Sequence, residues 1–204
     1  MRRWLFFMIP VWLIAMESYI TGTADGAVLR VSPDIEAYDL APYVSYLEDP
    51  GGVLTFDQAL ALKNSRDWRI NVKPTVNIGY TRSACWFRIE LLNDQNTPQD
   101  RLIEIDYPVL DEIDAYTVSG DGLVHHLKMG DKLPFHDRPF QFRNFIFPVH
   151  LAPEAPLKFF LRVKSSSSIQ LPLMLWNEKS LTAKNINESM ILGICLGIML
   201  IMAI

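Results

Sequence analysis

Between Tyr80 and Trp176 apolar residues recur at every second position in short runs, and turn residues separate the runs at nearly regular spacing. Period two is the period of a strand with one buried face, and seven or more such short strands with only one short helix point to an antiparallel sandwich or barrel rather than a βαβ fold. In 85–92, Trp86, Arg88 and Glu90 share one face and Phe87, Ile89 and Leu91 the other. In 102–107, Ile103, Ile105 and Tyr107 oppose Leu102, Glu104 and Asp106. Residues 113–118 run into Ser119-Gly120-Asp121-Gly122, a hairpin signal, and 123–129 return. Segments 142–151, 157–164 and 168–176 complete the set. Phe159, Leu161 and Val163 face inward with Arg162 and Lys164 outward, and Ile169, Leu171, Leu173 and Leu175 lie opposite Gln170.

Upstream, the β-branched piece 28–31 before Pro33 predicts a first strand, and Asp49-Pro50-Gly51-Gly52 is a strong turn. Thr55 then opens a short helix with Asp57 and Gln58 in its first turn and Phe56, Ala59, Leu60 and Leu62 on its apolar face. This is the one helix expected outside a membrane.

Both ends of the chain point to that membrane. Met190 to Ile204 contains no charge and shows no polar stripe, unlike a helix packed in a soluble core. Its fifteen residues make a helix about 22 Å long against a hydrocarbon core of about 30 Å, so the helix is expected to continue past Ile204. Arg2 and Arg3 precede an apolar stretch 4–16, then Glu17 and the small triplet Gly22-Thr23-Ala24, which reads as a signal peptide cut near Ala24. An uncleaved anchor is the alternative. Either way residues 25–185 are exported and the final helix re-enters the membrane. The expected division is a signal peptide 1–24, an N-terminal segment 25–34, a sandwich 35–177, a link 178–189 and a membrane helix starting at 190.

The exported part fits one domain. Without Arg2, Arg3 and Glu17 it carries 17 basic against 22 acidic residues, a net charge of −5, which argues against nucleic acid or an anionic lipid surface as partner. Cys85 is exported and Cys195 lies in the apolar helix, so no disulfide is expected. His125, His126, His136 and His150 have no metal-ligand spacing, and neither a metal nor a cofactor is assigned. No phosphate-binding glycine loop, catalytic histidine box or nucleotide-cyclase signature is present, and no enzymatic activity is expected of this chain.

An ordered series of short motifs adds to this reading. It comprises Leu47-Glu48-Asp49-Pro50, Gly79-Tyr80-Thr81-Arg82-Ser83 leading into Trp86-Phe87-Arg88, and Asp106-Tyr107-Pro108. Gly130-Asp131, Arg138-Pro139, Arg143-Asn144, Phe147-Pro148, Leu161-Arg162-Val163 and Gln170-Leu171-Pro172-Leu173 follow. The series resembles the type 2 extracellular sensor domain of bacterial seven-transmembrane receptors with diverse intracellular signalling modules, over roughly residues 35–177. The resemblance implies an all-β fold, an antiparallel jelly-roll β-sandwich similar to carbohydrate-binding modules, with one short helix and then the start of a transmembrane helix. It further implies a periplasmic position above the bacterial inner membrane, six more membrane helices, and an intracellular output such as a diguanylate cyclase or histidine kinase. None of those output modules lies in this chain.

Six residues are candidates for ligand contact, each with a structural alternative. If the face of Trp86 and Arg88 is concave, Trp86 is a platform for a sugar ring and Arg88 a fork of donors. If that face packs on the helix or a loop, Trp86 is core and Arg88 pairs with an acid such as Glu104 or Asp106. Arg138, Arg143 and Asn144 suit a polar or anionic ligand at a sandwich end, or else form a loop tied down by Asp137. Gln170 serves a sugar hydroxyl or is simply an outward strand residue. Glu104 and Asp106, with Asp111, Glu112 and Asp114, read as a solvated patch beside a turn, since glycoside hydrolysis needs carboxylates that bracket a bond.

The function expected is sensory: a small periplasmic ligand, a carbohydrate by the family likeness, binds the sandwich and shifts the first membrane helix through the link 185–189. The alternative is a module that dimerises or binds a partner receptor protein without a small ligand, which an exposed apolar patch or open edge strand favours.

Overall fold

The computed structural model describes residues 27–62 and 67–203, so the signal-peptide reading at 1–24 lies outside the described residues. Five strands precede the long central one: β1 (Leu29–Val31), β2 (Ala37–Asp39), β3 (Ser45–Asp49), β4 (Arg69–Ile70) and β5 (Val76–Gly79). Next come β6 (Ala84–Asn93), β7 (Gln99–Ile105), β8 (Glu112–Val118) and β9 (Val124–Met129). They are followed by β10 (Phe145–Leu151), β11 (Pro156–Lys164), β12 (Ile169–Leu171) and β13 (Leu173–Trp176). Helix α1 (Phe56–Ala61) stands between β3 and β4, and α2 (Glu178–Met202) follows β13.

Two sheets make the expected sandwich. The first has the order β4-β3-β6-β11-β8-β9, with β1 added beside β6, and the second the order β10-β7-β13-β2. All pairings are antiparallel except that of β1 with β6, which is parallel. The inward residues of the alternation form one core between the sheets, including Phe87, Ile89 and Leu91 of β6, Ile103 and Ile105 of β7, and Phe159, Leu161 and Val163 of β11. Period-two patterning and burial thus agree on which face of each strand is inside.

The outer face of the first sheet is covered as well. Thr55 caps α1 with a capping box: its hydroxyl accepts from the Gln58 amide at 3.3 Å, and the Gln58 side chain accepts from the Thr55 amide at 3.0 Å. The helix so anchored lays Phe56 on Tyr116, with ring centres 4.2 Å apart, and buries Ala59 with Trp68, Trp86 and Phe160. This second cluster is why Phe159 and Phe160, on opposite faces of β11, are both buried.

Three expectations are corrected. The segment 168–176 is not one strand. Pro172 has no N–H to donate, and the chain breaks there into β12, which pairs with β5, and β13, which joins the second sheet between β7 and β2. The single inward face of Ile169, Leu171, Leu173 and Leu175 nevertheless survives the break. The link 178–189 is helical, because Asn177 caps a helix by accepting from the Ser180 amide at 2.7 Å and α2 then runs 25 residues without interruption into the apolar run. Glu104, read as solvated, is fully buried.

Both cysteines are free. Helix α2 is long and apolar enough to cross a membrane, by length and composition.

Candidate functional site: the seam between sandwich and helix

Strand β7 turns Leu102 and Glu104 toward the outer face of the second sheet, where α2 lies on them. Leu181, fully buried, packs against Leu102 and Ile146, with Phe140, Phe142 and Trp176 around the edge. One helical turn farther, Lys184 reaches the strand: its ammonium donates to Glu104 at 2.8 Å and Asp106 at 3.4 Å, and to Glu188 of its own helix at 3.1 Å.

Glu104 is the centre of this arrangement. One carboxylate oxygen accepts from Lys184 and from the Asn144 amide at 2.7 Å, and the other accepts from the Trp176 indole N–H at 2.8 Å. A buried carboxylate with three donors is held at low cost; one that loses them is not. Asn144, itself buried, also donates to Asp106 at 2.6 Å, so its amide bridges the two carboxylates. Arg143 closes the far end, 3.9 Å from Asp106 and 3.5 Å from Glu188. Burial pulls the Lys184 ammonium down, but its hydrogen bonds to Glu104 and Glu188 and the charges of Glu104 and Asp106 outweigh that, and the net shift is upward.

The candidate residues therefore part company. Arg143 and Asn144 meet in the seam, where both hold acidic side chains of the protein. Arg138 lies close by and ties the loop, donating to the carbonyls of Phe142 and Arg143 at 3.3 and 3.0 Å and sitting over the rings of Phe135 and Phe145. Burial lowers the pKa of its guanidinium. Neither Arg138 nor Arg143 pairs with Asp137, which meets His136 instead. Trp86 has no exposed surface and so offers no platform. Arg88 stands over Trp68 at 4.7 Å and is separated from Glu104 and Asp106 by the whole sandwich, since β6 and β7 belong to different sheets. Gln170 is on β12, near the Ser168 hydroxyl.

A separate cleft of about 870 Å³ opens along the side where edge strands β9 and β10 face each other. Phe147, Val149, Leu157 and Phe159 form its apolar floor, while Thr117, His125, Asp100 and His150 supply polar groups at the rim. Its volume is that of a small-molecule site, roughly 300–1,000 Å³. None of the six sequence candidates lines it. Leu102, Phe140 and Glu178 do, so the cleft shares its wall with the docking site of α2. Arg143 and Asn144 of the seam are sequence candidates, whereas Trp176, Lys184 and Glu188 and the polar rim of the cleft are not, because nothing local in the sequence joins them to β7. Only Asn177, a helix-capping residue type directly before Glu178, signalled that a helix begins early enough to reach β7.

Among the described residues no group of histidine, cysteine and acidic side chains is placed to hold a metal ion. The acids Asp111 and Asp114 point to different partners, Lys132 for the first and His126 with Arg162 for the second. A model of the 7TMR-DISM extracellular 2 family matches residues 41–177. No curated protein matches the chain.

Proposed function

Because the chain belongs to the 7TMR-DISM extracellular 2 family, we propose that it is the periplasmic input domain of a membrane receptor, in which a small molecule bound in the β9–β10 cleft changes how α2 sits on the second sheet. The observation that carries this reading is the shared wall: Leu102 lines the cleft and packs against Leu181 of α2. A ligand that moves Leu102 or Phe140 changes the seat of Leu181, and the uninterrupted helix carries the change into its apolar half. The shift follows only if the ligand prefers one seating of the helix over the other. An apolar floor with a polar rim suits a molecule with one apolar face and several hydroxyls, and a carbohydrate is of that kind. The output, a diguanylate cyclase or histidine kinase by the family likeness, lies across the membrane.

The test is a thermal-shift screen of saccharides and small metabolites on the full chain, repeated with Leu157→Trp to fill the cleft floor. A ligand that raises Tm in the wild type and not in the variant supports the cleft. An equal rise in both removes it. For transmission, a Gly-Ser segment inserted after Lys184 in a chain joined to its output should abolish the response and leave binding intact; an unchanged response overturns the coupling.

A second reading rests on β9, whose outer edge has no strand partner among the described residues and whose Val124 and neighbouring Leu123 are exposed. A dimer built on that edge would be lost on replacing Val124 by Lys, as read by sedimentation.

A further inference from the structure

The direction of α2 fixes which end of the sandwich faces the bilayer. Along α2 the contacts step from Leu181 on Leu102, through Lys184 on Glu104 and Asp106, to Glu188 on Arg143. The helix thus runs the same way as β7, and its apolar stretch begins at Met190, two residues past Glu188. The end of the sandwich where β7 finishes is therefore the end nearest the membrane.

Strand registers place four loops at that end, beside the serine run 165–168 that follows β11. β11 finishes there, with Lys164 opposite Glu112, the first residue of β8. Asp49 is opposite Ala84, the first residue of β6, which puts the turn 50–53 and the connection 80–83 at the same level. The connection 106–111 follows β7, and the long connection 130–144 leads from β9 into Phe145, opposite Ile105. Each of the four carries an exposed apolar side chain: Val53 (79%), Tyr80 (84%), Val109 (44%) and Phe135 (48%). Tyr80 and Phe135 are the exposed phenylalanine and tyrosine side chains of the described residues, and both stand at this end. Aromatic residues exposed at the level where a helix enters the bilayer are those that sit among lipid headgroups.

Beside Tyr80 is a cleft of about 650 Å³ lined with Arg82, Lys132, Lys164, Asp111, Glu112 and Ser166. Lys132 is taken by Asp111 at 2.9 Å. Arg82 and Lys164 have no ion pair among the described residues, and Glu112 adds a carboxylate to the same wall. Both signs of charge around one opening match a headgroup that itself carries a phosphate and an ammonium. The net charge of the exported part is negative, which leaves no general attraction to an anionic surface.

We propose that this end is a lipid-contact surface: Tyr80 and Phe135 enter the headgroup layer, and Arg82 and Lys164 bind phosphates of zwitterionic phospholipids of the bilayer that α2 enters. The contact would set the tilt of the sandwich on its helix, the coordinate that a ligand in the β9–β10 cleft would move. The inference rests on α2 being membrane-inserted.

The experiment uses the full chain in nanodiscs of zwitterionic phospholipid containing headgroup-nitroxide or acyl-chain-nitroxide lipids. A fluorophore is placed by Tyr80→Cys or, at the opposite end, Asn96→Cys, each with Cys195→Ser; a third sample carries the label on Cys195 itself. Headgroup nitroxides should quench the label at position 80 several-fold more than at position 96. Reversing both charges, Arg82→Glu with Lys164→Glu, should bring quenching at position 80 down to the level at 96. Quenching equal at both positions, or undiminished in the doubly reversed variant, overturns the lipid contact. Failure of acyl-chain nitroxides to quench Cys195 overturns the membrane reading beneath it, which separates the two failures.

Discussion

Glu104 accepts a hydrogen bond from Lys184 at 2.8 Å across 80 positions of sequence, and this pair joins the middle of the second sheet to the helix that leaves it. Removing one member of a buried pair costs about 3–5 kcal/mol. Here Asn144 and Trp176 stay on the carboxylate, and Lys184 keeps some contact with water. Lys184→Met is therefore expected to destabilise the fold by roughly 2 kcal/mol, below that range. In a double-mutant cycle with Glu104→Gln, urea unfolding should return a coupling of about 1–3 kcal/mol. Additive effects would mean that the two side chains do not act as a pair.

The pH dependence of stability has an alkaline and an acid arm. Lys184 has its pKa raised in the folded state, so its stabilisation is complete below the ordinary value of 10.5 and is lost as pH climbs through the higher folded value. Asp111 accepts from the Ser166 amide and from Lys132, each at 2.9 Å, and these hold its carboxyl below 3.8. Its stabilisation is complete above 3.8 and is lost as pH falls through the lower folded value. Tm measured from pH 9 upward should drop more in the wild type than in Lys184→Met. From pH 4 downward it should drop more in the wild type than in Asp111→Asn.

Gly130 leaves β9 with φ at +152°, and a Cβ there would stand 2.1 Å from the Asp111 carbonyl oxygen. Backbone lies on the other side of that contact, so no side-chain rotation relieves it. Gly130→Ala is expected to cost more than about 2 kcal/mol in chemical denaturation, beyond what an ordinary surface substitution costs. A change within 0.5 kcal/mol would show that the turn re-forms elsewhere.

Burial, with the nearby Glu48 and Asp49 carboxylates, pushes the Cys85 thiol up to about 12. Its thiolate is then scarce at neutral pH, and its side chain is fully covered. Maleimide at pH 7.5 should leave Cys85 unlabelled in the folded protein and label it fully in urea, as read by mass spectrometry. Labelling of the folded protein at the rate of a free thiol would place Cys85 at the surface.

What the residue order reveals and what it hides follow from the range of the interactions. The inward faces of β6, β7 and β11 are legible because alternation is a property of neighbours, and α1 is legible because Thr55 and Gln58 cap it locally. The change of sheet at Pro172 is hidden, since the apolar alternation continues across it. The seam is hidden more deeply. Glu104 alternates like a solvent-facing residue, and only a helix some 80 positions later buries it. Residues 178–189 have no apolar stripe beyond Leu181 to mark them as a packed helix. Trp86 and Arg88 stay open between a ligand face and a covered one for the same reason: what covers that face, α1 and Trp68, comes from afar.

Leu181 separates packing from charge in holding α2. It is the one fully buried side chain of the described helix, set against Leu102 and Ile146. Leu181→Ala leaves Lys184, Glu188 and Arg143 untouched but removes the apolar seat, at an expected cost of about 2–4 kcal/mol. That cost falls on the attachment of the helix and not on the core between the sheets, where Phe87 and Phe159 keep their partners. Hydrogen exchange of amides 181–189 should therefore quicken many-fold in Leu181→Ala while amides of β6 and β11 keep their wild-type protection. Equal quickening in β6 would mean that helix and sandwich unfold as one unit. Unchanged exchange in 181–189 would mean that the Glu104–Lys184 cluster alone holds the helix, and the shared Leu102 wall would then carry no signal.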